Sequence, residues 1–296
     1  MDLPARSSHF LHLKEKWDNH RKHIISGLWE KHGKSLSKIA EKSKQFAVGG
    51  SLAGLSLITP AASVIMPQQS PPSLLASEDI GRALDKKTFL VYDLSHILPN
   101  KVKELTLPQE YTTAETLTRH FGIPITAELN GIRLNRTYGY IGAEQHLMRY
   151  PGDTMETHFD NPEDSQKYYS SGMAPGRGAW GYFAGPNGLD QKAIDREKYY
   201  IAVQTFLAPG WREHTVEYVK FFKYRKMLVV NPQNGKAIAV VIGDAGPAEW
   251  TGKSLGGSPE VMKYLKRVDG RQKGPVLYFF IDDPDDTIPL GPIEAV

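Results

Sequence analysis

The chain has 296 residues, of which 40% are hydrophobic and 23% charged, a globular balance that excludes wholesale disorder. Its 27 glycines and 20 prolines favour a loop-rich β protein over a helical bundle. Cysteine is absent, which excludes a disulfide framework, a thiolate-ligated metal centre and a thiol nucleophile.

The net charge of +3 hides an asymmetry. Residues 1–44 carry ten Lys and Arg against five Asp and Glu, a net of +5, so everything after them is close to neutral at −2. A nucleic-acid partner needs a basic face on the folded domain, and none is visible. Residues 1–45 read as a basic, amphipathic helical arm: Phe10, Leu13, Trp17, Ile24, Leu28 and Trp29 recur at three- and four-residue spacing among Lys and His. Its five histidines, His9, His12, His20, His23 and His32, read as solvated helix residues rather than metal ligands.

From Gln45 to Ser77 no charged residue occurs, and residues 46–66 match the ~20 residues that a helix needs to cross a bilayer. One reading is a single-pass anchor with the basic arm in the cytoplasm. A second is a signal segment cleaved near Ala61-Ala62-Ser63, which would leave a secreted protein. A third is an ordinary buried or flexible helix. The first two place the rest of the chain outside the cytoplasm. Residues 67–77, rich in Pro, Gln and Ser, read as an extended linker.

Residues 78–173 read as a small α+β region. Thr88–Tyr92 has strand composition, Thr113–Phe121 reads as a helix ended by Gly122 and Pro124, and Ile132–Ile141 suggests a second strand. Glu144 and His146 are two apart and would share one face of a strand, where a carboxylate beside an imidazole can exchange protons or bind a sugar. The competing reading of this stretch is a polar junction with Arg149 paired to Asp153. No His-Glu-x-x-His spacing is present, so neither metal nor cofactor is expected.

Residues 174–296 are punctuated by glycine in the manner of a β domain. Gly176–Phe183 reads as a strand, as do Tyr199–Phe206 and Val216–Phe222. Met227–Val230 and Lys236–Ile242 read as a hairpin turning at Asn234-Gly235. Ser258 caps a short helix with Pro259 at its first position, and Val276–Ile281 closes the domain. Leu207–Arg225, with Trp211, Arg212, Glu213 and His214, reads as mainly solvated loop.

Val229-Val-Asn231-Pro-Gln-Asn234-Gly235 leading into Asp244-Ala-Gly-Pro247, with Gly176-Arg-Gly-Ala-Trp180-Gly-Tyr182 upstream, resembles the rare lipoprotein A family. Expansins and membrane-bound lytic transglycosylase A are more distant relatives of that family by fold. The resemblance covers residues 174–283 and implies a six-stranded double-psi β-barrel. In the enzymatic members a carboxyl group in a groove protonates the glycosidic oxygen of peptidoglycan, a role that falls on Asp244. The family's His has no counterpart near Ile201–Gln204, its Arg is Ala245, and the Asp before its helix is missing.

The expectation is therefore a mainly β C-terminal barrel behind an α+β region, a membrane segment and a helical arm. Its partners would be cell-wall glycan and, through the N-terminal segment, a membrane, with no nucleic acid. Asp244 is the candidate acid, and Trp180, Tyr182, Trp250, Glu144 and His146 are the candidate glycan contacts. Asp244 can equally serve to hold its own turn, and the aromatics can be core. The lost His and Asp favour binding over cleavage, with a lytic-transglycosylase-like enzyme as the alternative.

Overall fold

A computed structural model describes residues 74–267 and 274–296. The arm 1–45 and the candidate span 46–66 lie outside the described residues. Among the described residues, no helix is long and apolar enough to cross a membrane.

Two helices open the described chain. Helix α1 (Leu74–Ile97) covers the stretch whose composition suggested a strand at Thr88–Tyr92. Leu90 and Leu94, four apart and both fully buried, set its inward face, so helical spacing overrides the β-branched and aromatic content. Helix α2 (Leu107–Phe121) begins earlier than Thr113. Thr106 caps it in a reciprocal box with Gln109, and Gly122 ends it at a φ of 66°.

Ten strands follow in chain order: β1 (Ile125–Thr126), β2 (Glu128–Leu129), β3 (Ile132–Arg133), β4 (Tyr138–Ala143), β5 (Tyr200–Val203), β6 (Lys226–Val230), β7 (Ala237–Ala245), β8 (Leu255–Gly257), β9 (Gly274–Ile281) and β10 (Gly291–Ile293). Six of them close on themselves. Strand β9 pairs with β4 and β6, β6 with β7, β7 with β5, β5 with β8, and β8 with β4. Two of these pairings are parallel, β5 with β7 and β4 with β8; the other four are antiparallel. The result is a six-stranded barrel in a mixed α/β chain. One barrel strand, β4, comes from upstream of residue 174, so the 78–173 region is not separate from the barrel.

The ring is buried on both faces. Met227, Val229, Ile238, Val240, Ile242, Val276, Tyr278 and Phe280 point inward and pack with Phe222, Val261 and Leu265. Their strand neighbours Leu228, Val230, Ala237, Ala239, Leu277 and Phe279 point outward onto Leu90, Leu94, Leu117 and Phe121 of the two helices. Strands covered on both sides read as unbroken apolar runs, which is why Met227–Val230 and Val276–Ile281 lack alternation. The hairpin β6–β7 stands as expected, with Gly235 at a φ of 69°.

Two other expectations fail. Val216–Phe222 lies in a helix, because Tyr218, Phe221 and Phe222 recur at helical spacing and are all buried. The remaining short helices are α3 (Pro162–Tyr168), α4 (Gln191–Lys198), α5 (Thr215–Phe222) and α6 (Pro259–Tyr264), the last capped by Ser258 as expected. Gly176–Phe183 is a glycine-rich loop with one isolated bridge, Gly178 to Gly181, rather than a strand.

The loop after β9 is pinned to the start of β6. Asp283 accepts a hydrogen bond from Lys226 Nζ at 2.6 Å and from the backbone N–H groups of Thr287 and Ile288. Burial by itself would raise the Asp283 carboxyl. The hydrogen bonds from Lys226, Ile288 and Thr287 outweigh it and hold the group well below the usual carboxylate range. A native pKa below the unfolded one stabilises the fold above the unfolded value, and that contribution is lost as acid protonates the group. Asp283→Asn should therefore cost about 2–3 kcal/mol at neutral pH. Denaturant melts should show the gap to wild type closing as the pH falls below ~4. A gap independent of pH would refute the ion-pair account.

Candidate functional site

The expected acid, Asp244, sits near the end of β7. It is half-buried, and its Oδ1 accepts hydrogen bonds from the backbone N–H of Ala179 at 2.6 Å and of Ala245 at 2.8 Å. Oδ2 makes no hydrogen bond among the described residues. Burial pushes the carboxyl above its ordinary value, against the pull of those two N–H groups. Asp244 thus holds a turn with one oxygen and leaves the other free.

The bond to Ala179 brings the 176–183 loop against the barrel. A Cβ on Gly178 would lie 3.2 Å from Leu147 Cδ1 and 3.5 Å from Asp244 Oδ1, so the loop backbone packs closely on both side chains. The same loop carries Trp180 and Tyr182. Trp180 is half-buried against the barrel core, with its indole N–H buried and without a partner among the described residues. Tyr182 is half-buried, with Arg177 5.7 Å from its ring centre. Lys223 and the hydroxyl of Tyr224 donate to the backbone carbonyls of Trp180 and Tyr182, fixing the loop from its far side. After β7, Gln204 donates to the carbonyl of Pro247 and Gly246 N–H to that of Val203, which fastens the Asp244–Pro247 turn. Trp250, in the short 3-10 turn that follows, is 89% exposed.

Glu144 and His146 part company. Glu144 lies over Gly256, where a Cβ would collide with it, and pairs with Lys253 at 2.9 Å. His146 is 0% exposed and turns inward. Its neighbours form a buried chain of charge. Arg149, 2% exposed, donates from Nε to Asp153 Oδ2 at 3.0 Å and from Nη2 to the carbonyl of Thr157 at 2.8 Å. His158 donates from Nδ1 to Asp153 Oδ2 at 3.0 Å and from Nε2 to Glu197 Oε2 at 2.8 Å. The other oxygen of Glu197 accepts from His146 Nδ1 at 3.3 Å and from the Leu147 N–H at 3.0 Å. The two imidazole rings lie 4.6 Å apart, each with its face or edge toward Phe159.

The shifts follow from this arrangement. Burial opposes charge on all of these groups, yet the hydrogen bonds that His158 donates to Asp153 and Glu197 raise it to about 9. Those from His146 and His158 lower Glu197 to about 2. Asp153 is held well below the usual range by His158 and Arg149. Glu260 on α6 has no such donor to its Oε2, and burial lifts it to about 7.

The Arg149–Asp153 pairing was legible in the sequence, and the structure has it. Glu197 was not: it lies 51 residues from His146 and 39 from His158, and no local spacing points to it. Within Leu207–Arg225, Trp211 packs on the barrel core, whereas Glu213 and His214 are exposed, with His214 3.4 Å from Glu217. No protein-family model, curated protein or solved structure matches this chain.

Removing one member of a buried charge chain strands the others. Asp153→Asn should therefore destabilise the protein by about 3–5 kcal/mol in denaturant melts. A loss within the error of the melt would show that the chain does not hold the 144–160 segment in place.

Proposed function

We propose that this chain is a membrane-tethered envelope protein whose barrel binds peptidoglycan-type glycan and does so mainly as a binding and organising module. On this reading the barrel is a double-psi barrel of the rare lipoprotein A type, residues 46–66 are the anchor, and residues 78–296 face away from the cytoplasm. The closed ring with two parallel strand pairs, reached through an Asn-Gly hairpin and an Asp-x-Gly-Pro turn, supports the fold assignment.

The observation that carries the functional reading is the Asp244–Pro247 turn. It brings a half-buried carboxyl with one free oxygen, a loop bearing Trp180 and Tyr182, and the exposed indole of Trp250 to one end of β7. A carboxylate hydrogen-bonds sugar hydroxyls, and aromatic rings stack on the apolar faces of sugars. Binding is favoured over cleavage because Asp244 spends Oδ1 on two backbone N–H groups and Glu144 is neutralised by Lys253.

The alternative, a lytic-transglycosylase-like enzyme, draws on the raised carboxyl of Asp244, which suits a general acid. One such group can give a proton to the glycosidic oxygen and later take one from a sugar hydroxyl, with no second carboxylate.

The detergent-solubilised full chain should co-sediment with peptidoglycan sacculi and release no soluble fragments. Trp250→Ala should weaken binding about fivefold, the equivalent of about 1 kcal/mol, and Asp244→Asn should leave the melting temperature nearly unchanged, since Asn Oδ1 can accept both N–H groups. Fragments released by wild type and reduced about 10²–10⁴-fold by Asp244→Asn would establish the enzyme instead. Wild type that stays in the supernatant would overturn the glycan reading altogether.

A further inference from the structure

The buried chain around His146 also brings together three side chains that can ligate a metal ion. One ligand atom each from His146, His158 and Glu197 lies within 4.8 Å of the other two, all three residues being buried. These distances suit three donors converging on one cation. The three residues come from separate parts of the fold: His146 just after β4, His158 from the following loop, and Glu197 from α4.

The surroundings complete the case. Ligating histidines usually present their second ring nitrogen to a carboxylate, which fixes the ring and its tautomer. His158 already does this, with Nδ1 on Asp153 and Asp153 held in turn by Arg149. His146 Nε2 is buried with no partner among the described residues, and so is Oε2 of Glu260, which is 7% exposed.

With a divalent ion bound by His146 Nδ1, His158 Nε2 and Glu197, the ring proton of His146 sits on Nε2. The carboxylates of Asp153 and Glu197 then stand against the charges of the ion and Arg149.

We propose that His146, His158 and Glu197 bind a first-row divalent cation of the zinc type, with Asp153 orienting His158. Two imidazoles and one carboxylate suit zinc, cobalt(II) or iron(II) and do not suit the all-oxygen preference of magnesium or calcium. Every ligand is buried, so the ion is structural: it fastens the 144–160 segment and α4 to each other.

The test is to express the full chain in medium supplemented with zinc or cobalt(II), wash the purified protein with a chelator to strip exposed sites, and measure retained metal by mass spectrometry. A variant with His9, His12, His20, His23 and His32 all changed to Gln removes the arm histidines without touching the barrel. Wild type and this arm variant should each retain one ion per chain, and the cobalt form should show the visible absorption of nitrogen-ligated, low-coordinate cobalt. His158→Gln and Glu197→Gln should retain none. Wild type that holds no metal after the wash, or an arm variant that loses it, overturns the proposal. So does a folded Glu197→Gln that keeps the ion.

Discussion

Arg149 and Asp153 leave water together, and the shape of the surface around Asp244 depends on their doing so. Each ion alone would cost several kcal/mol to bury, and the pair is tolerated because Asp153 also accepts from the Arg149 N–H and from His158. His158 passes the constraint to Glu197, and Glu197 passes it to the Leu147 N–H. The 144–160 segment is thereby fixed to α4 from within. Leu147 then packs beside Gly178, whose neighbour Ala179 gives its N–H to Asp244. The geometry at the end of β7 is thus set partly by charges that no solvent touches.

The barrel provides the rigid side of this arrangement. Its strands are apolar on both faces because helices α1 and α2 cover the outside while Phe222, Val261 and Leu265 fill the inside. A strand sealed on both sides has its register fixed by packing in two directions. Asp244 and the Asp244–Pro247 turn emerge from such a strand, so the carboxyl is delivered by a stiff element while Trp180 and Tyr182 arrive on a loop.

What the sequence made legible was governed by local chemistry. The Asn234-Gly235 turn, the Ser258 cap with Pro259 behind it, and the pairing of Arg149 with Asp153 are short-range signals, and all three stand in the structure. At Thr88–Tyr92 and Val216–Phe222 the β-branched and aromatic content suggests strands, but the helical spacing of Leu90 and Leu94 and of Tyr218, Phe221 and Phe222 decides the fold. The contribution of β4 to the barrel and the meeting of Glu197 with two distant histidines are long-range facts. No periodicity encodes them. His146 illustrates the difference: its two-residue spacing from Glu144 suggested a shared face, whereas its partner is Glu197, on α4, and Glu144 is paired with Lys253.

Native-state hydrogen exchange tests the central claim, that the buried charge chain locks the 144–160 segment to the barrel, most directly. The amides of Leu147 and Arg149, which donate to Glu197 and Asp153, should exchange only through global unfolding, at the same opening free energy as the interior amides of β7. Exchange of these two amides several kcal/mol more readily than those of β7, at the rate of ordinary surface loops, would contradict it.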